Sequence, residues 1–483
     1  MNDCIFGPTC NVTRLISCTR AVLCILVRRR GATCSLAPDA TGGYIDDTSL
    51  QADYIWIQIQ DYNNTNNSMT FIRFTNGHLC DNGVLYHDVD LYVDKDNGTI
   101  YGQVPPPAGL KIEVVDLGGN VLAPGFLDIQ NNGIYGLNFS DLREGATNKD
   151  VKEFQNFYRD AMAKYLTTGV TSTCPTVTSN FPEVYNNVLP LYRRSRLQHQ
   201  VDSLGAHCEG PFINLKKKGC HPTETFVDAK EGPSKLFDIY GGVENFTENV
   251  AIVTAAPEIE GVLQAIPEVV ESNIVFSLGH TNADYKTAVK AVDNGATMIT
   301  HLYNAMPQPH HRDVGVVGLV TSPVVGKTPY FGIICDGVHV DPSMAVIAFR
   351  SNPEKCILVT DAMHLIGLPD DTYKWDNQTI VKKGPYLYLQ GTKTLAGSAT
   401  TLPQCVRNLM AWANIPLAQA VKTVTNNPAT SIGVQHEKGF LNKGCDADLV
   451  VLDHQGFLKA VYKLGHLIRP VDENQPSKLM AAL

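Results

Sequence analysis

NIVFSLGHTNADYKTAVKAVDNGATMITHLY, residues 273–303, reads as a strand, a helix and a second strand. Its two β-type runs, NIVFSLGH and ATMITH, are apolar, and each ends at a histidine, His280 and His301. The run between them has the apolar spacing of a helix and closes on a glycine. A strand–helix–strand unit of this kind calls for a parallel sheet. The stretch therefore predicts an α/β fold with two imidazoles at the carboxyl ends of strands.

The same alternation repeats on both sides of this unit. Eight strand candidates occur in all: VLAPGFLDIQ, GVTSTCPT, VDSLGAHCEG, VAIVTAAPE, NIVFSLGH, ATMITHLY, PYFGIICDG and KCILVTDA. Eight units of strand and helix can close into a (β/α)8 barrel of the TIM type. The helical run at residues 401–433 follows the eighth strand, and we expect it to complete the outer layer of the barrel.

Both segments that flank the barrel carry short β-type runs. Turn signals such as DNG, PPPAG and LGGN separate these runs in the first segment, and Gly and Asp turns separate them in the second. Two terminal β segments around an α/β middle join most simply into one small β-sandwich domain. We predict that residues 69–122 and 434–483 form this sandwich and that residues 123–433 form the barrel. The 483-residue chain is long enough for both.

Residues 1–68 differ in composition from the rest of the chain. The first 34 residues hold five arginines and one acid, and an Asn-rich stretch, DYNNTNNSMT, follows later. We expect a disordered extension here, with a targeting segment of the mitochondrial type as the alternative.

Charge and cysteine content limit the classes of partner and the cellular compartment that we expect. The 48 acids outweigh the 39 bases, which argues against nucleic acid or an anionic membrane as the main partner. No apolar run approaches the roughly 20 residues that a membrane crossing needs. Several of the 13 cysteines lie in strand-like segments, as reduced buried thiols do in cytosolic proteins. We therefore expect a cytoplasmic protein.

Four acid or imidazole side chains follow the predicted strands: Glu209, His280, His301 and Asp361. The carboxyl ends of all strands in a parallel barrel share one rim, so these residues can meet although they are far apart in sequence. A lone residue of either type at a strand end would more simply be structural. Together, two imidazoles and a carboxylate form a three-ligand zinc set with an open position, and a further carboxylate can move protons. The pattern predicts a metal-dependent hydrolase.

Longer motifs carry a resemblance to a known family. They are APGFLDIQNNG, HCEGPFINLKKKGCHP, LGHTNADY, THLYNAMPQPHHR, ICDGVHVDP, LVTDAMHLIGLPD, TLAGSATTL and NNPATSIGVQHEKGFLNKGCDADLVVLD. In this order, from about residue 71 to 460, the chain resembles the N-acetylglucosamine-6-phosphate deacetylases of the amidohydrolase superfamily. The resemblance implies hydrolysis of N-acetyl-D-glucosamine 6-phosphate to D-glucosamine 6-phosphate and acetate.

The resemblance also implies roles for individual residues. Glu209, His280 and His301 would hold one divalent metal ion, expected to be zinc. Asp361 would act as general base and then as general acid, and His221 would polarise the acetyl carbonyl. The residues expected to contact substrate are Cys220, Asn304, Ala305, Arg312, Asp336, His339, Leu395, Ala396 and Gly397. Among them, Arg312 is expected to clamp the phosphate, because a guanidinium matches phosphate oxygens.

One departure from the wider superfamily concerns the number of metal ions. Many amidohydrolases place an HxH motif after the first strand to hold a second metal. Here Gln130 and Asn132 stand at those positions. Amides are weak zinc ligands, so a single-metal site is expected, with a weakly held second metal as the alternative.

Two other functions stay open from the sequence. The chain could be a different amidohydrolase, acting on a cyclic amide or another N-acyl sugar, or a catalytically dead barrel that serves as a scaffold. The presence of all four rim residues argues against the scaffold. The family resemblance further implies a homodimer.

Overall fold

The computed structural model describes residues 69–142, 145–375, 378–392 and 395–468, together with two short antiparallel strands, Ile16–Cys18 and Ala21–Leu23. The predicted disorder or targeting role of residues 1–68 otherwise lies outside the described residues. Contacts between residues divide the chain into two units at Thr65/Asn66, and the barrel lies within the second unit.

Eight parallel strands form the centre of this unit, and each pairs with the next in chain order. They are β1 (Phe126–Asn131), β2 (Val170–Thr178), β3 (Ala206–Glu209), β4 (Val250–Ala255), β5 (Val275–Leu278), β6 (Met298–Ile299), β7 (Tyr330–Ile333) and β8 (Cys356–Leu358). A further short strand, Asp202–Ser203, pairs with β2. The sequences of these strands are almost continuously apolar because other parts of the protein cover both faces of a parallel sheet. Every residue of β1 and β3 is buried.

The ends of β1 and β8 meet where the barrel closes. Asn131 and Ala362 form a parallel bridge, and the Asp361 N–H donates to the Gln130 carbonyl at 2.9 Å. The predicted α/β barrel of the TIM type is thereby confirmed. Side chains such as Leu127, Ile252 and Ile357 fill its interior.

Helices connect and surround the strands. The α-helices are Asn148–Leu166, Pro182–Val188, Pro233–Ile239, Val243–Asn249, Val262–Glu271, Tyr285–Asp293, Pro342–Ser351, Leu402–Ala413, Leu417–Lys422 and Asn426–Ser431; short 3₁₀ helices span Leu189–Tyr192, Leu215–Lys217, Thr223–Thr225 and Val316–Thr321. Among the described residues, none of the helices combines the length and the apolar character needed to cross a membrane.

Two antiparallel-rich sheets form the predicted sandwich from both ends of the chain. The six-stranded sheet runs, in spatial order, His466–Ile468, Leu458–Lys463, Leu449–Leu452, Val121–Pro124, His78–Asp81, Val84–His87. The four-stranded sheet runs Thr99–Gly102, Leu91–Asp94, Thr70–Thr75, Lys111–Asp116. Their shared core includes Phe74, Leu122 and Leu449. The exact division at 122/123 and 433/434 stays a prediction; the strand Val121–Pro124 crosses the first position.

A four-stranded antiparallel sheet follows β8 and was not predicted. Its strands are Thr372–Trp375, Gln378–Lys383, Tyr386–Leu389 and Leu395–Ser398. Three of the expected substrate contacts, Leu395, Ala396 and Gly397, lie in the last of these strands. Ser398 forms a bridge with Ala362, so the sheet reaches the rim of the barrel directly beside the end of β8.

Candidate active site

Three predicted metal ligands converge at the carboxyl rim of the barrel. Glu209 ends β3, and His280 and His301 each lie two residues past the end of β5 and β6. One carboxylate oxygen of Glu209, Oε1, lies 2.9 Å from Nε2 of His280 and 3.0 Å from Nε2 of His301. The two imidazole nitrogens are 3.0 Å apart. All three residues are buried, at 2–4% exposure.

The hydrogen-bond chemistry of this triangle fits a cation at its centre. Nδ1 of His280 donates to the Lys217 carbonyl at 2.8 Å, so the neutral ring carries a lone pair on Nε2. This lone pair faces a carboxylate oxygen that only accepts. Burial would raise the pKa of Glu209, but the two histidines lower it well below its ordinary value. The donor set, His2Glu, is one that holds catalytic zinc.

A different grouping, Glu209, His221 and His280, also brings its ligand atoms within 4.8 Å of one another. Nδ1 of His221 accepts from the Ser179 N–H at 3.2 Å and lies 2.8 Å from the Ser179 hydroxyl. The neutral ring of His221 therefore carries its proton on Nε2 and has no lone pair left for a metal ion, which favours His301 as the third ligand.

The backbone at these rim positions is strained. His280, His301 and Asp361 have φ angles of 48°, 28° and 44°, in the left-handed region that non-glycine residues rarely occupy. Such residues each cost on the order of 1–3 kcal/mol and cluster at functional sites. In this backbone conformation each side chain faces the cavity at the mouth of the barrel.

Asp361 lies in the same cavity as the three predicted ligands and accepts a short hydrogen bond. The side-chain amide of Asn132 donates to its Oδ1 at 2.7 Å. Burial, followed by the negative charge of Glu209, raises the pKa of Asp361 to about 7. Its carboxylate is therefore suited to take up and release a proton near neutral pH.

His221 is held as a neutral hydrogen-bond donor. Because Nδ1 accepts from Ser179, the neutral ring carries its proton on Nε2. Burial, followed by the neighbouring His280, lowers the pKa of His221 to about 3. The rings of His221 and His280 are 4.5 Å apart between centroids.

A cavity of about 220 Å³ encloses these groups. Glu209, His221, His280, His301 and Asp361 all line it. Of the predicted substrate contacts, it is also lined by Cys220, Asn304, Ala305, His339, Leu395, Ala396 and Gly397. The thiol of Cys220 donates to the Leu395 carbonyl at 3.3 Å, which ties two walls of the cavity together.

Two predicted substrate contacts do not line this cavity. Asp336 instead orients His339: its Oδ2 accepts from Nδ1 of His339 at 2.7 Å. Arg312 is exposed on the loop that follows His301 and lies outside the cavity lining. Its position follows from the loop conformation, which the sequence did not predict.

Several contacts at the site were not predicted. Gln130 was noted only as a missing ligand, yet its amide lies 3.3 Å from both carboxylate oxygens of Glu209. Asn132 likewise contacts Asp361. The backbone carbonyl of Lys217 orients His280, and the backbone N–H of Ser179 orients His221. Sequence motifs consist of side-chain types and do not indicate such backbone contacts. For the two amides a signal existed, because they stand at ligand positions of the wider superfamily.

Comparison with known proteins shows the family of this chain. Residues 121–477 match the Amidohydrolase family. N-acetylglucosamine-6-phosphate deacetylase of Caenorhabditis elegans is 40% identical over 377 residues, 77% of this chain and 87% of that protein. The human enzyme of the same name is 37% identical over 413 residues, 83% of this chain and 96% of that protein.

Solved structures of the same enzyme are also similar. The N-acetylglucosamine-6-phosphate deacetylase of Pasteurella multocida superposes with a TM-score of 0.71 at 30% identity, covering 83% of this chain and all of that one. A mutant of the enzyme from Mycobacterium smegmatis, in complex with N-acetyl-D-glucosamine-6-phosphate, has a TM-score of 0.70 at 29% identity over the same shares. The chain therefore belongs to the amidohydrolase family and, within it, to the N-acetylglucosamine-6-phosphate deacetylases.

Proposed function

We propose that this protein hydrolyses N-acetyl-D-glucosamine 6-phosphate to D-glucosamine 6-phosphate and acetate. The observation that carries the proposal is the convergence of Glu209, His280 and His301 on one point, beside Asp361, in one cavity. The relatives named above are named for this activity, and this chain covers most of their length.

Glu209, His280 and His301 would hold the metal ion. When bound, a divalent cation supplies Lewis acidity and makes water a usable nucleophile at neutral pH. Asp361 accepts one proton of the attacking water while the water oxygen forms its bond to the acetyl carbon. Asp361 then gives that proton to the amide nitrogen. The C–N bond breaks with its electron pair on nitrogen, leaving an amine and acetate.

His221 has the protonation state that this reaction needs at the acetyl oxygen. Its Nε2–H is a neutral donor, because Nδ1 accepts from Ser179. A fixed donor of this kind stabilises negative charge that develops on a carbonyl oxygen. We assign His221 that role.

The sugar phosphate would be held at a distance from the reacting carbon, which contributes orientation. His339, fixed by Asp336, lines the cavity and can present Nε2 to the ligand. Arg312 stays our candidate for the phosphate clamp. Because it is exposed outside the cavity lining, the clamp requires a loop movement or a neighbouring copy of the chain.

We further propose zinc as the metal, a homodimer as the assembled form and the cytoplasm as the compartment. The imidazole and carboxylate ligands support zinc. Free cysteines among the described residues, such as the buried Cys174, Cys208 and Cys356, suit a reducing compartment. The homodimer rests on the family resemblance.

Acetate release from the metal-loaded protein tests the proposal, with N-acetylglucosamine 6-phosphate and unphosphorylated N-acetylglucosamine compared side by side. We expect about one zinc per chain, rapid release from the phosphorylated sugar and much slower release from the other. Removing the metal with a chelator should abolish release, and zinc should restore it. Equal rates would favour a different N-acyl sugar as substrate, and no release from either sugar would refute a deacetylase.

A further inference from the structure

Two amides, Gln130 and Asn132, lie at the end of β1, and each contacts one carboxylate of the site. Gln130 lies 3.3 Å from both oxygens of Glu209. Asn132 donates to Oδ1 of Asp361 at 2.7 Å. Both acceptors are carboxylates, and the second contact is the shorter one, which makes it the stronger of the two.

The contact between Asn132 and Asp361 spans the position where the barrel closes. The Asn132 N–H donates to the Ala362 carbonyl at 2.8 Å, and the Asp361 N–H donates to the Gln130 carbonyl at 2.9 Å. These bonds fix both backbones on either side of the side-chain contact. The amide therefore reaches the carboxylate from a rigid base.

The orientation of the Asn132 amide is determined by its neighbour. Turned the other way, its oxygen would face the Oδ1 atom of an ionised Asp361, and two acceptors would repel. In the observed orientation the Asn132 oxygen has no hydrogen-bond partner within the described protein, and the residue lines the cavity at only 7% exposure. The contact with Asp361 therefore decides which way the amide faces.

We propose that Asn132 is a positioning residue that holds Oδ1 of Asp361, so that the other carboxylate oxygen, Oδ2, carries the proton in catalysis. The inference rests on the proposed deacetylase function for its kinetic consequence. Asn132 does not touch the reacting atoms in this account; it acts through Asp361.

Replacement of Asn132 by leucine, which has a similar shape, tests the proposal. Asn132→Leu removes both the donated hydrogen bond and the unpaired oxygen. We expect kcat to fall about tenfold to a hundredfold, the range for losing a hydrogen bond to a charged group, with KM and zinc content unchanged within about twofold. The melting temperature should change little. A crystal structure of the variant should show the Asp361 carboxylate rotated or in more than one conformer.

A second variant separates the donor from the shape. Asn132→Asp keeps the size but offers an acceptor where the donor was, so two carboxylates would have to share a proton. We expect a similar loss of kcat and an altered dependence of kcat on pH, which loss of packing alone would not produce.

Ser172→Ala is a matched control for removing an unpaired oxygen. Ser172 is fully buried in β2, its hydroxyl has no hydrogen-bond partner, and it does not line the cavity. Its replacement should leave kcat unchanged and stability equal or higher.

The outcomes separate this inference from the proposed function. An unmoved Asp361 with kcat within threefold of the wild type would overturn the positioning role. A lower melting temperature with parallel loss of zinc would overturn it too, because the residue would then be structural. If the wild type released no acetate but Asp361 still reoriented in Asn132→Leu, the deacetylase proposal would fail and the positioning role would be supported.

Discussion

At the scale of single residues, the site depends on side chains that local backbone strain directs into the barrel mouth. His280, His301 and Asp361 all have positive φ, and each lies just past its strand. Backbone groups then fix the rings, as the Lys217 carbonyl does for His280. The residues are thus oriented before any ligand arrives, which favours reactions that need fixed geometry.

Asp361→Asn is the sharpest residue-level test of the chemistry. We expect turnover to fall about 10²- to 10⁴-fold, because the amide keeps the contact with Asn132 but cannot accept a proton. Zinc content, measured by elemental analysis, should not change, since Asp361 is not a ligand in this assignment. Asp341→Asn is the control: Asp341 is an exposed helix cap outside the cavity, and its loss should not affect turnover. Near-normal turnover in Asp361→Asn would remove Asp361 from the mechanism.

At the scale of elements, the strand Leu395–Ser398 forms one wall of the cavity and is positioned by close packing. Gly397 has a φ of 104°, and a Cβ built there would lie 2.4 Å from Cγ of Met363. The strand therefore approaches the segment after Asp361 more closely than any side chain permits. This wall belongs to the antiparallel sheet that follows β8.

Gly397→Ala should disturb both stability and turnover. The added methyl group must displace Met363 or the strand, and we expect a loss of about 1–3 kcal/mol in the free energy of unfolding together with a lower kcat/KM. Denaturant unfolding and acetate release measure the two effects. Gly391→Ala controls for the backbone alone, because Gly391 also has positive φ (74°) but has nothing within 4 Å of the built Cβ. Equal behaviour of the two variants would contradict the packing argument.

At the scale of the whole molecule, a buried ionic network joins the barrel to the sandwich. Lys463, at the end of a sandwich strand, lies 2.5 Å from Asp202, whose short strand pairs with β2, and 2.6 Å from Asp448. Lys438 contacts the same two carboxylates at 2.6 and 2.7 Å. These four side chains are at most 5% exposed, so each charge depends on its partners for stability.

The network predicts a specific dependence of stability on pH. Burial would raise the pKa of Asp448, but Lys438 and Lys463 lower it below its ordinary value. A lowered folded-state pKa stabilises the protein fully above the unfolded value of about 3.9, and this contribution is lost as pH falls through the folded value. The free energy of unfolding should therefore decline from about pH 5 downward. In Asp448→Asn that part of the decline should be missing.

The same variant should be less stable at neutral pH. Removing one partner of a buried ion pair costs about 3–5 kcal/mol, which denaturant unfolding at pH 7 will measure. Glu437→Gln is the control, because Glu437 pairs with Arg194 at 2.9 Å with 62% of its side chain exposed. Such exposed pairs contribute about 1 kcal/mol or less. A loss in Asp448→Asn no larger than in this control would argue against the network.

The sequence by itself determined the barrel, the two-ended sandwich and the rim residues Glu209, His280, His301 and Asp361. These follow from local signals, since the period of apolar residues marks each strand and a parallel barrel gathers all carboxyl ends on one rim. Only the tertiary structure decided the contact of Asn132 with Asp361 and the exposed position of Arg312. Asn132 and Asp361 are 229 residues apart. Whether they touch depends on strand register where the barrel closes, and whether Arg312 lines the cavity depends on a loop conformation. Neither leaves a periodic pattern in the chain.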